Sequence, residues 1–208
     1  MDSNTWPPSS TAVSELRPAQ ERVLLEQARR EPLAFRELYR AYFPRVYAYV
    51  SYRVACVEDV EDLTAQTFLK AIEELGRFSY RGEGSFAAWL FRIAHNSVSD
   101  FYRRGGKAHD GPAPLEAAYE LPDQQPSPDD HVIRQQSFAH LRRLVGDLPL
   151  RQQEVITLRF FAGLRNKQIA GILGLDERSV AAHLCRGLRE LQRRYAQLPE
   201  HAFGGVLE

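Results

Sequence analysis

The chain has 208 residues, of which 44% are hydrophobic and 26% are charged. This balance is typical of a globular domain and excludes both an intrinsically disordered chain and a membrane bundle. The formal charge is zero, with 27 basic and 27 acidic side chains, and on its own this sum favours no charged partner.

The two ends of the chain carry little pattern. Residues 1–10 lack the basic start and the apolar stretch of a signal peptide. The longest apolar run, 86–91, is far shorter than the roughly 20 residues of a membrane helix. We therefore expect a cytoplasmic protein with no membrane insertion, a flexible N-terminal segment over 1–18 and a C-terminal tail over 197–208.

Helical periodicity dominates the rest of the sequence, and no stretch alternates apolar and polar residues as a half-buried strand does. We predict an all-α protein with two helical domains. The predicted helices are 19–30, 34–54 with a break or kink at Pro44, 58–76, 85–104, 130–147, 150–162, 166–173 and 177–196.

The third predicted helix combines a buried stripe with an acidic start. The stripe consists of Val60, Leu63, Phe68, Ala71, Ile72 and Leu75. The first turn carries Glu58, Asp59, Glu61 and Asp62. These four carboxylates complement the helix dipole, which explains one or two of them. Because four such charges repel one another without a basic partner, a docking surface is the second interpretation.

The fourth predicted helix has two distinct faces when residues are placed at about 100° per position. The inward face consists of Phe86, Leu90, Ile93, Ser97 and Phe101. The other face carries Arg92, Asn96, Ser99 and Arg103, with Trp89 and Asp100 at its border. Such groups can hold phosphates, bind a base edge and stack on a base, although a solvated polar face is the simpler interpretation.

The loop before this helix strengthens the nucleic-acid interpretation. It places Phe78, Tyr80 and Arg81 close to two glycines. Aromatic and cationic side chains beside glycine suit a pocket for an unstacked base.

A segment rich in proline and glycine divides the chain. Residues 105–130 contain five prolines and three glycines, so we predict a flexible, acidic linker between a domain at 19–104 and a domain at 131–196. The charge also divides there, because residues 105–137 carry a net −4 and residues 138–195 a net +6. A basic segment beside an acidic one is typical of a protein with one nucleic-acid-binding module.

The last two predicted helices have the pattern of a helix-turn-helix. Gly174 ends the first helix and Asp176 can cap the second. On the second helix Val180, Leu184, Leu188, Leu191 and Tyr195 should point inward, and Arg178, Ala182, Arg186, Arg189 and Arg193 should point outward. A basic strip opposite the core is how a recognition helix meets the major groove, while a solvated face remains the alternative for Arg189 and Arg193.

The sequence contains no motif for catalysis or for a bound cofactor. Cys56 and Cys185 are far apart, and no two of the six histidines are three or four residues apart. We expect no enzyme activity, no cofactor and no metal.

Five segments together resemble the group IV, or extracytoplasmic-function, sigma factors of bacterial RNA polymerase. The segments are 38–46 (LYRAYFPRV), 59–69 (DVEDLTAQTFL), 85–96 (SFAAWLFRIAHN), 148–155 (LPLRQQEV) and 169–174 (IAGILG). The resemblance implies a region 2 bundle before the linker, a region 4 helix-turn-helix after it, and a transcription initiation factor that binds core polymerase and directs it to promoters.

The resemblance also assigns residues. Asp59, Glu61, Asp62 and Gln66 would bind the polymerase. The minus-ten element would meet Phe78, Tyr80, Arg81, Trp89, Arg92, Asn96 and Arg103. The minus-thirty-five element would meet Lys167, Arg178, Ser179, Ala182, His183 and Arg186. Arg165 replaces the usual Ser or Thr at the start of the helix before the recognition helix, so the cap of that helix is either supplied by Asn166 or absent.

The partners implied by this resemblance are the clamp helices and flap of RNA polymerase core, promoter DNA and, as a further candidate, an anti-sigma factor. The chain would be a monomer when bound to core. The main alternative is a two-domain helix-turn-helix regulator that acts without polymerase, but no dimerisation helix is evident. An enzyme and a pure interaction scaffold are the remaining alternatives.

Overall fold

The computed structural model describes residues 16–54, 56–105 and 143–197. Every regular element within these ranges is helical. The α-helices are α1 Pro18–Ala28, α2 Phe35–Ser51, α3 Val57–Glu74, α4 Ser85–Arg103, α5 Leu150–Phe160, α6 Asn166–Leu173 and α7 Glu177–Tyr195. Short 3₁₀ turns at Pro32–Ala34 and Leu75–Arg77 precede α2 and follow α3. The all-α prediction is confirmed.

Some predictions fall on residues that are not described. The linker at 105–130 and the C-terminal tail lie almost wholly outside the described ranges, as does the N-terminal segment up to residue 15. Of the predicted helix 130–147, only residues 143–147 are described, and 143–146 are helical.

Helices α1 to α4 form an N-terminal bundle in which α3 packs against both α2 and α4. The inward face predicted for α4 is confirmed, since Phe86, Leu90, Ile93 and Ser97 are all buried and Phe101 is half-buried. The spacing of three and four residues keeps these side chains on one face of the helix.

Two predictions for this bundle need correction. Of the two alternatives predicted at Pro44, a break or a kink, the break is wrong, because helix α2 continues through this residue. Proline costs this helix one backbone hydrogen bond, but the buried neighbours Tyr42 and Val46 hold the turn against the core. Ile72 is 44% exposed, because Thr64 and Thr67 occupy the stripe instead. The Thr67 hydroxyl donates to the Leu63 carbonyl at 2.7 Å, which satisfies its polar group inside the core.

Helices α5, α6 and α7 form the C-terminal unit. Gly174 ends α6 with φ of 65°, and the Asp176 carboxylate accepts the Ser179 backbone N–H at 2.8 Å, so both predicted helix boundaries are confirmed. Of the two alternatives for the start of α6, the cap from Asn166 is absent, and the Gln168 side chain accepts the Arg165 N–H at 2.8 Å.

The inward face predicted for α7 is only partly right. Val180 is buried, and Leu184 and Leu191 are half-buried, but Leu188 is 40% and Tyr195 is 56% exposed. Only α5 and α6 pack closely on α7 among the described helices, and a Cβ added at Gly187 would lie 2.6 Å from Ile156 of α5. The side chains on the remaining turns of α7 are therefore more exposed to solvent.

Candidate functional site

The acidic start of α3 is accessible. Asp59 is half-buried, while Glu61, Asp62 and Gln66 are exposed. None of these three carboxylates has an ion-pair partner within the described ranges. Glu58 differs, because the Cys56 thiol donates to it at 2.5 Å and this hydrogen bond lowers the pKa of the Glu58 carboxyl. The cluster is therefore a negative surface without an internal cation to neutralise it.

The loop between α3 and α4 has a fixed shape. The Phe78 ring is 8% exposed and packs against Trp89 and Phe86, with centroids at 4.9 and 5.7 Å. Arg29 donates to the Phe78 carbonyl, and the Arg81 N–H donates to the Ser85 hydroxyl at 3.2 Å. In this arrangement the Phe78 ring supports the loop from inside and is not presented to a base.

The other loop residues are more accessible. Tyr80 is half-exposed, and its hydroxyl lies 3.4 Å from the Pro18 carbonyl. Arg81 is exposed, and the loop turns at Gly82 and Gly84, whose φ values are 110° and 71°. Positive φ is a conformation that glycine adopts without steric cost.

The predicted strip on α4 is present. Arg92, Asn96 and Arg103 are exposed, and Trp89 is half-buried at its edge. Asn96 has no hydrogen-bond partner among the described residues. Arg103 forms an exposed ion pair with Asp100 at 2.7 Å, and Arg92 donates to the Gly171 carbonyl of α6 at 3.1 Å.

The helix-turn-helix presents most of its predicted residues. Lys167, Arg178, Ala182 and Arg186 are exposed. Ser179 and His183 are half-buried and are less available. The Ser179 hydroxyl donates to Asp176 at 2.8 Å, and the His183 Nδ1 is shielded from solvent without a hydrogen-bond partner among the described residues.

The arginines of α7 fall into two groups. Arg193 makes two hydrogen bonds to Glu190, at 3.0 and 2.7 Å, and Arg194 makes one at 2.7 Å. These hydrogen bonds lower the pKa of Glu190 to about 2, and those from Arg193 have the larger effect. Arg186 and Arg189 have no carboxylate partner within the described part of the chain, so their charge is available to an external anion.

A group of residues that the sequence did not single out joins the two helical units. The Arg53 guanidinium bonds Glu154 at 3.0 Å, and these side chains are only 5% and 4% exposed. Arg45 donates to the carbonyls of Phe161 and Ala162. The only sign in the sequence is that Arg53 stands between Tyr52 and Val54, and nothing local indicates a partner 101 residues away.

No helix in the described ranges is long and apolar enough to span a bilayer. The same ranges contain no group of three or more His, Cys, Asp or Glu side chains placed to hold a metal ion.

Comparison with known families identifies both helical units. The model for sigma-70 region 2 matches residues 38–108, and the model for sigma-70 region 4 matches residues 139–191. The chain belongs to the sigma-70 family. Within that family it is an extracytoplasmic-function, group IV, sigma factor. Sigma factors are not enzymes; they are initiation factors that bind RNA polymerase and confer promoter specificity.

Individual relatives agree with this assignment. The sigma factor is 37% identical over 172 residues to the ECF sigma factor BldN of Streptomyces coelicolor, a match that covers 82% of this chain and 64% of BldN. It is 30% identical over 169 residues to the sigma factor YlaC of Bacillus subtilis, covering 79% of this chain and 93% of YlaC. The chain thus spans less than two thirds of BldN but nearly all of YlaC.

A solved structure supports the fold. The sigma factor RpoE of Bartonella quintana, crystallised with the anti-sigma factor NepR, superposes with a TM-score of 0.59 at 20% identity. The match covers 79% of this chain and 98% of RpoE. At this identity the likeness concerns the fold alone.

Proposed function

We propose that this sigma factor docks on core polymerase through the start of α3, binds the minus-ten element with α4 and its preceding loop, and binds the minus-thirty-five element with α7. The observation that carries this proposal is the order of the modules. A region 2 match with an exposed acidic cluster and an exposed cationic strip is followed by a region 4 match with an exposed basic helix. We assign the first module to residues 19–104 and the second to residues 131–196.

Core docking would use Asp59, Glu61, Asp62 and Gln66. Three carboxylates without internal partners form a negative patch, which favours a basic surface on the partner and accelerates its encounter. By resemblance, the partner surface for this module is the clamp helices of core polymerase, and that for region 4 is the flap.

At the minus-ten element different side chains would make different kinds of contact with the DNA. Arg92, Arg103 and Arg81 would contact phosphates, and the Asn96 amide would bind a base edge. Trp89 and Tyr80 would stack on unpaired bases. Phe78 would contribute indirectly, because its buried ring holds the loop in position and does not contact a base. Contacts that exist only with unpaired bases stabilise melted DNA.

At the minus-thirty-five element Arg178, Arg186 and Lys167 would supply the charge, and Ala182 would allow the helix to approach the bases closely. Ser179 and His183 would contribute less directly, since the first is bonded to its cap and the second is half-buried.

The remaining expectations follow from this role. The factor would catalyse no reaction itself, bind no cofactor and act in the cytoplasm as a monomer on core polymerase. An anti-sigma factor is a further candidate partner, because RpoE of Bartonella quintana is bound by one.

The first test is co-purification with core polymerase, followed by run-off transcription over a promoter library. Retention on core and promoter-dependent transcripts are expected. Absence of retention would contradict the sigma role and favour the regulator that acts without polymerase.

A variant then tests the minus-ten site. Asn96→Ala should lower open-complex formation about 5-fold to 150-fold, the effect of losing one good base contact of about 1–3 kcal/mol, with core binding unchanged. The measurement is permanganate reactivity of the melted strand. Gln27→Ala, an exposed amide lost from α1, is the matched control and should melt the promoter normally. Equal melting by both variants would contradict the role of Asn96.

A further inference from the structure

Helix α1 precedes the part of the chain that the region 2 model matches. The match begins at residue 38, whereas α1 spans Pro18–Ala28. The helix nevertheless belongs to the folded bundle, because Leu25 is 2% and Ala28 is 7% exposed. The family match therefore assigns no role to α1, although the helix is packed into the domain.

Helix α1 is anchored to α2 by a buried hydrogen bond. Glu21 is only 4% exposed, and the Tyr42 hydroxyl donates to its carboxyl group. The Arg45 guanidinium lies 5.1 Å from the centroid of the Tyr42 ring. Loss of the donor would leave a buried carboxyl group unsatisfied, which is strongly unfavourable. The contact therefore fixes where α1 lies on the bundle.

A series of aromatic rings connects this anchor with the proposed minus-ten site. Tyr42 packs edge-on against Phe86, with ring centroids 5.2 Å apart. Phe86 in turn contacts Phe78 and Trp89, each with centroids 5.7 Å apart. Aromatic pairs at such distances attract one another in defined geometries. The Phe78 ring is thus linked by direct packing to the residue that anchors α1.

The two ends of α1 also contact the loop between α3 and α4. Just after the last turn, Arg29 donates to the Phe78 carbonyl. At the first turn, the Pro18 carbonyl lies 3.4 Å from the Tyr80 hydroxyl. The loop is therefore held to α1 at two positions that are two residues apart in the loop.

The contact from Arg29 is the stronger of the two. Arg29 has no carboxylate partner within the described ranges, so its guanidinium is free to donate to the Phe78 carbonyl. A hydrogen bond from a charged donor is stronger than one between neutral groups. Because the Phe78 ring packs on Trp89 at 4.9 Å, this bond fixes the backbone beside a side chain that is proposed to stack on a base.

We propose that Arg29 is a positioning residue for minus-ten recognition, which holds the Phe78 carbonyl and so keeps the loop and Trp89 in the arrangement that discriminates among bases. This inference rests on the proposed function, because it takes the loop and Trp89 to contact the minus-ten strand. Arg29 itself does not contact the DNA. Loss of its bond lowers the fraction of molecules with a competent loop, and the affinity for the preferred sequence falls in proportion to that fraction.

Three variants of the full chain test this role. Arg29→Ala removes the donor to Phe78, and Arg29→Lys keeps the charge and one donor group. Arg30→Ala is the matched control, because Arg30 is the next residue, is also exposed, and has no side-chain partner among the described residues. Far-ultraviolet circular dichroism confirms that each variant is folded.

The first measurement needs neither polymerase nor DNA. The chain has two tryptophans, Trp6 and Trp89, so Trp6→Phe in every protein leaves Trp89 as the single indole fluorophore. Acrylamide quenching of its emission then reports how well the loop covers the indole. Arg29→Ala should raise the quenching constant, Arg29→Lys should raise it less, and Arg30→Ala should leave it unchanged.

The second measurement is discrimination among minus-ten sequences. Holoenzyme reconstituted with core polymerase transcribes a promoter library with randomised minus-ten positions, and the readout is the ratio of transcripts from the preferred sequence to those from its single-base variants. Arg29→Ala should lower this ratio about threefold to tenfold, roughly the factor that one hydrogen bond contributes. Arg29→Lys should restore part of the ratio, and Arg30→Ala should match the wild-type chain.

The salt dependence of promoter affinity separates positioning from direct contact. Because Arg29 contacts no phosphate, the slope of log affinity against log salt should be the same for Arg29→Ala and the wild-type chain. A slope lowered by about 0.7–0.9 would assign Arg29 to a phosphate contact and would overturn the positioning role.

The remaining outcomes are also decisive. Unchanged Trp89 quenching in folded Arg29→Ala would overturn the proposal, and so would increased quenching with unchanged discrimination. Increased quenching together with a wild-type chain that transcribes all minus-ten sequences equally would overturn the minus-ten assignment while supporting the contact between α1 and the loop. The failure of the inference and the failure of the proposed function are therefore distinguishable.

Discussion

At the scale of single residues, His95 makes the stability of the fold depend on pH. His95 is half-buried on α4, and its Nδ1 lies 3.1 Å from the Tyr49 hydroxyl. Burial lowers the pKa of His95 below its ordinary 6.5; the nearby Arg53 and Arg151 act in the same direction and Glu154 opposes them. Burial also raises the pKa of Tyr49 to about 12, so its hydroxyl stays protonated and can donate to the neutral imidazole.

Lowering the pH should therefore destabilise the fold through this histidine. The unfolded chain binds a proton at its ordinary pKa and the folded chain only at a lower pH, so the stabilisation is complete above about pH 6.5 and is lost as the pH falls toward the folded-state pKa. Urea midpoints at about pH 7.5 and about pH 5.5 measure the loss. His95→Asn, which keeps an acceptor near the Nδ1 position, should lose less; an equal loss in both proteins would contradict this origin.

Residue roles could be predicted where their cause is local. The cap by Asp176 and the end of α6 at Gly174 depend on neighbours within a few residues, and both were identified from the sequence. The roles of Arg45 and Arg53 could not be predicted, because their partners lie 116 and 101 residues away along the chain. A lone arginine on a helix is normally interpreted as a solvated side chain. The same limit applies to Gln168, which binds Gly84 from the other unit.

At the scale of helices, the C-terminal unit depends on a close approach of α5 and α7. Gly187 is buried on α7, and a Cβ added there would lie 2.6 Å from the Ile156 Cδ1 and 3.3 Å from the Gln152 Cβ. Glycine costs a helix interior roughly 0.5–1 kcal/mol relative to alanine. The close approach explains why this cost is tolerated.

A double-mutant cycle tests this contact. Gly187→Ala gains helix propensity but places its methyl group against Ile156, so the gain should largely be lost. Ile156→Val removes the Cδ1 atom at a cost of about 0.5–1.5 kcal/mol, and in that background Gly187→Ala should become clearly stabilising. Urea unfolding of the four proteins should show a favourable coupling of at least about 0.5 kcal/mol; additivity within about 0.3 kcal/mol would contradict the contact.

Helix positions were predictable because apolar periodicity is a local signal, and α6 was predicted with its observed bounds. Side-chain exposure was less predictable. Ile72 is apolar and at a plausible spacing, yet Thr64 and Thr67 are the residues that pack into the core, where the Thr67 hydroxyl donates to the Leu63 carbonyl of the same helix. Only the packing of α3 against α2 and α4 decides which residues of α3 are covered.

At the scale of the whole molecule, the zero net charge is a sum over separate surfaces. The start of α3 exposes carboxylates without internal partners, and α7 exposes arginines without them. These surfaces lie in different units, so the chain can present opposite charges to polymerase and to DNA. The total from composition gives no indication of this, whereas the charge of each segment does.

The internal pairing on α7 predicts which arginines contribute to DNA binding. Arg193 makes two bonds to Glu190, and a phosphate must first displace them. Arg186 has no such partner among the described residues. Although both arginines are on one helix and both are exposed, only Arg186 should release a counterion fully when DNA binds.

Salt dependence separates the two residues. With the reconstituted holoenzyme on a duplex promoter fragment, the slope of log affinity against log salt should fall by about 0.9 for Arg186→Ala, the value for one phosphate contact, and by clearly less for Arg193→Ala. Affinities over a series of potassium chloride concentrations give the slopes. Equal changes in slope for the two variants would show that the bonds to Glu190 do not prevent Arg193 from binding a phosphate. The basic strip would then act as one surface along the whole of α7.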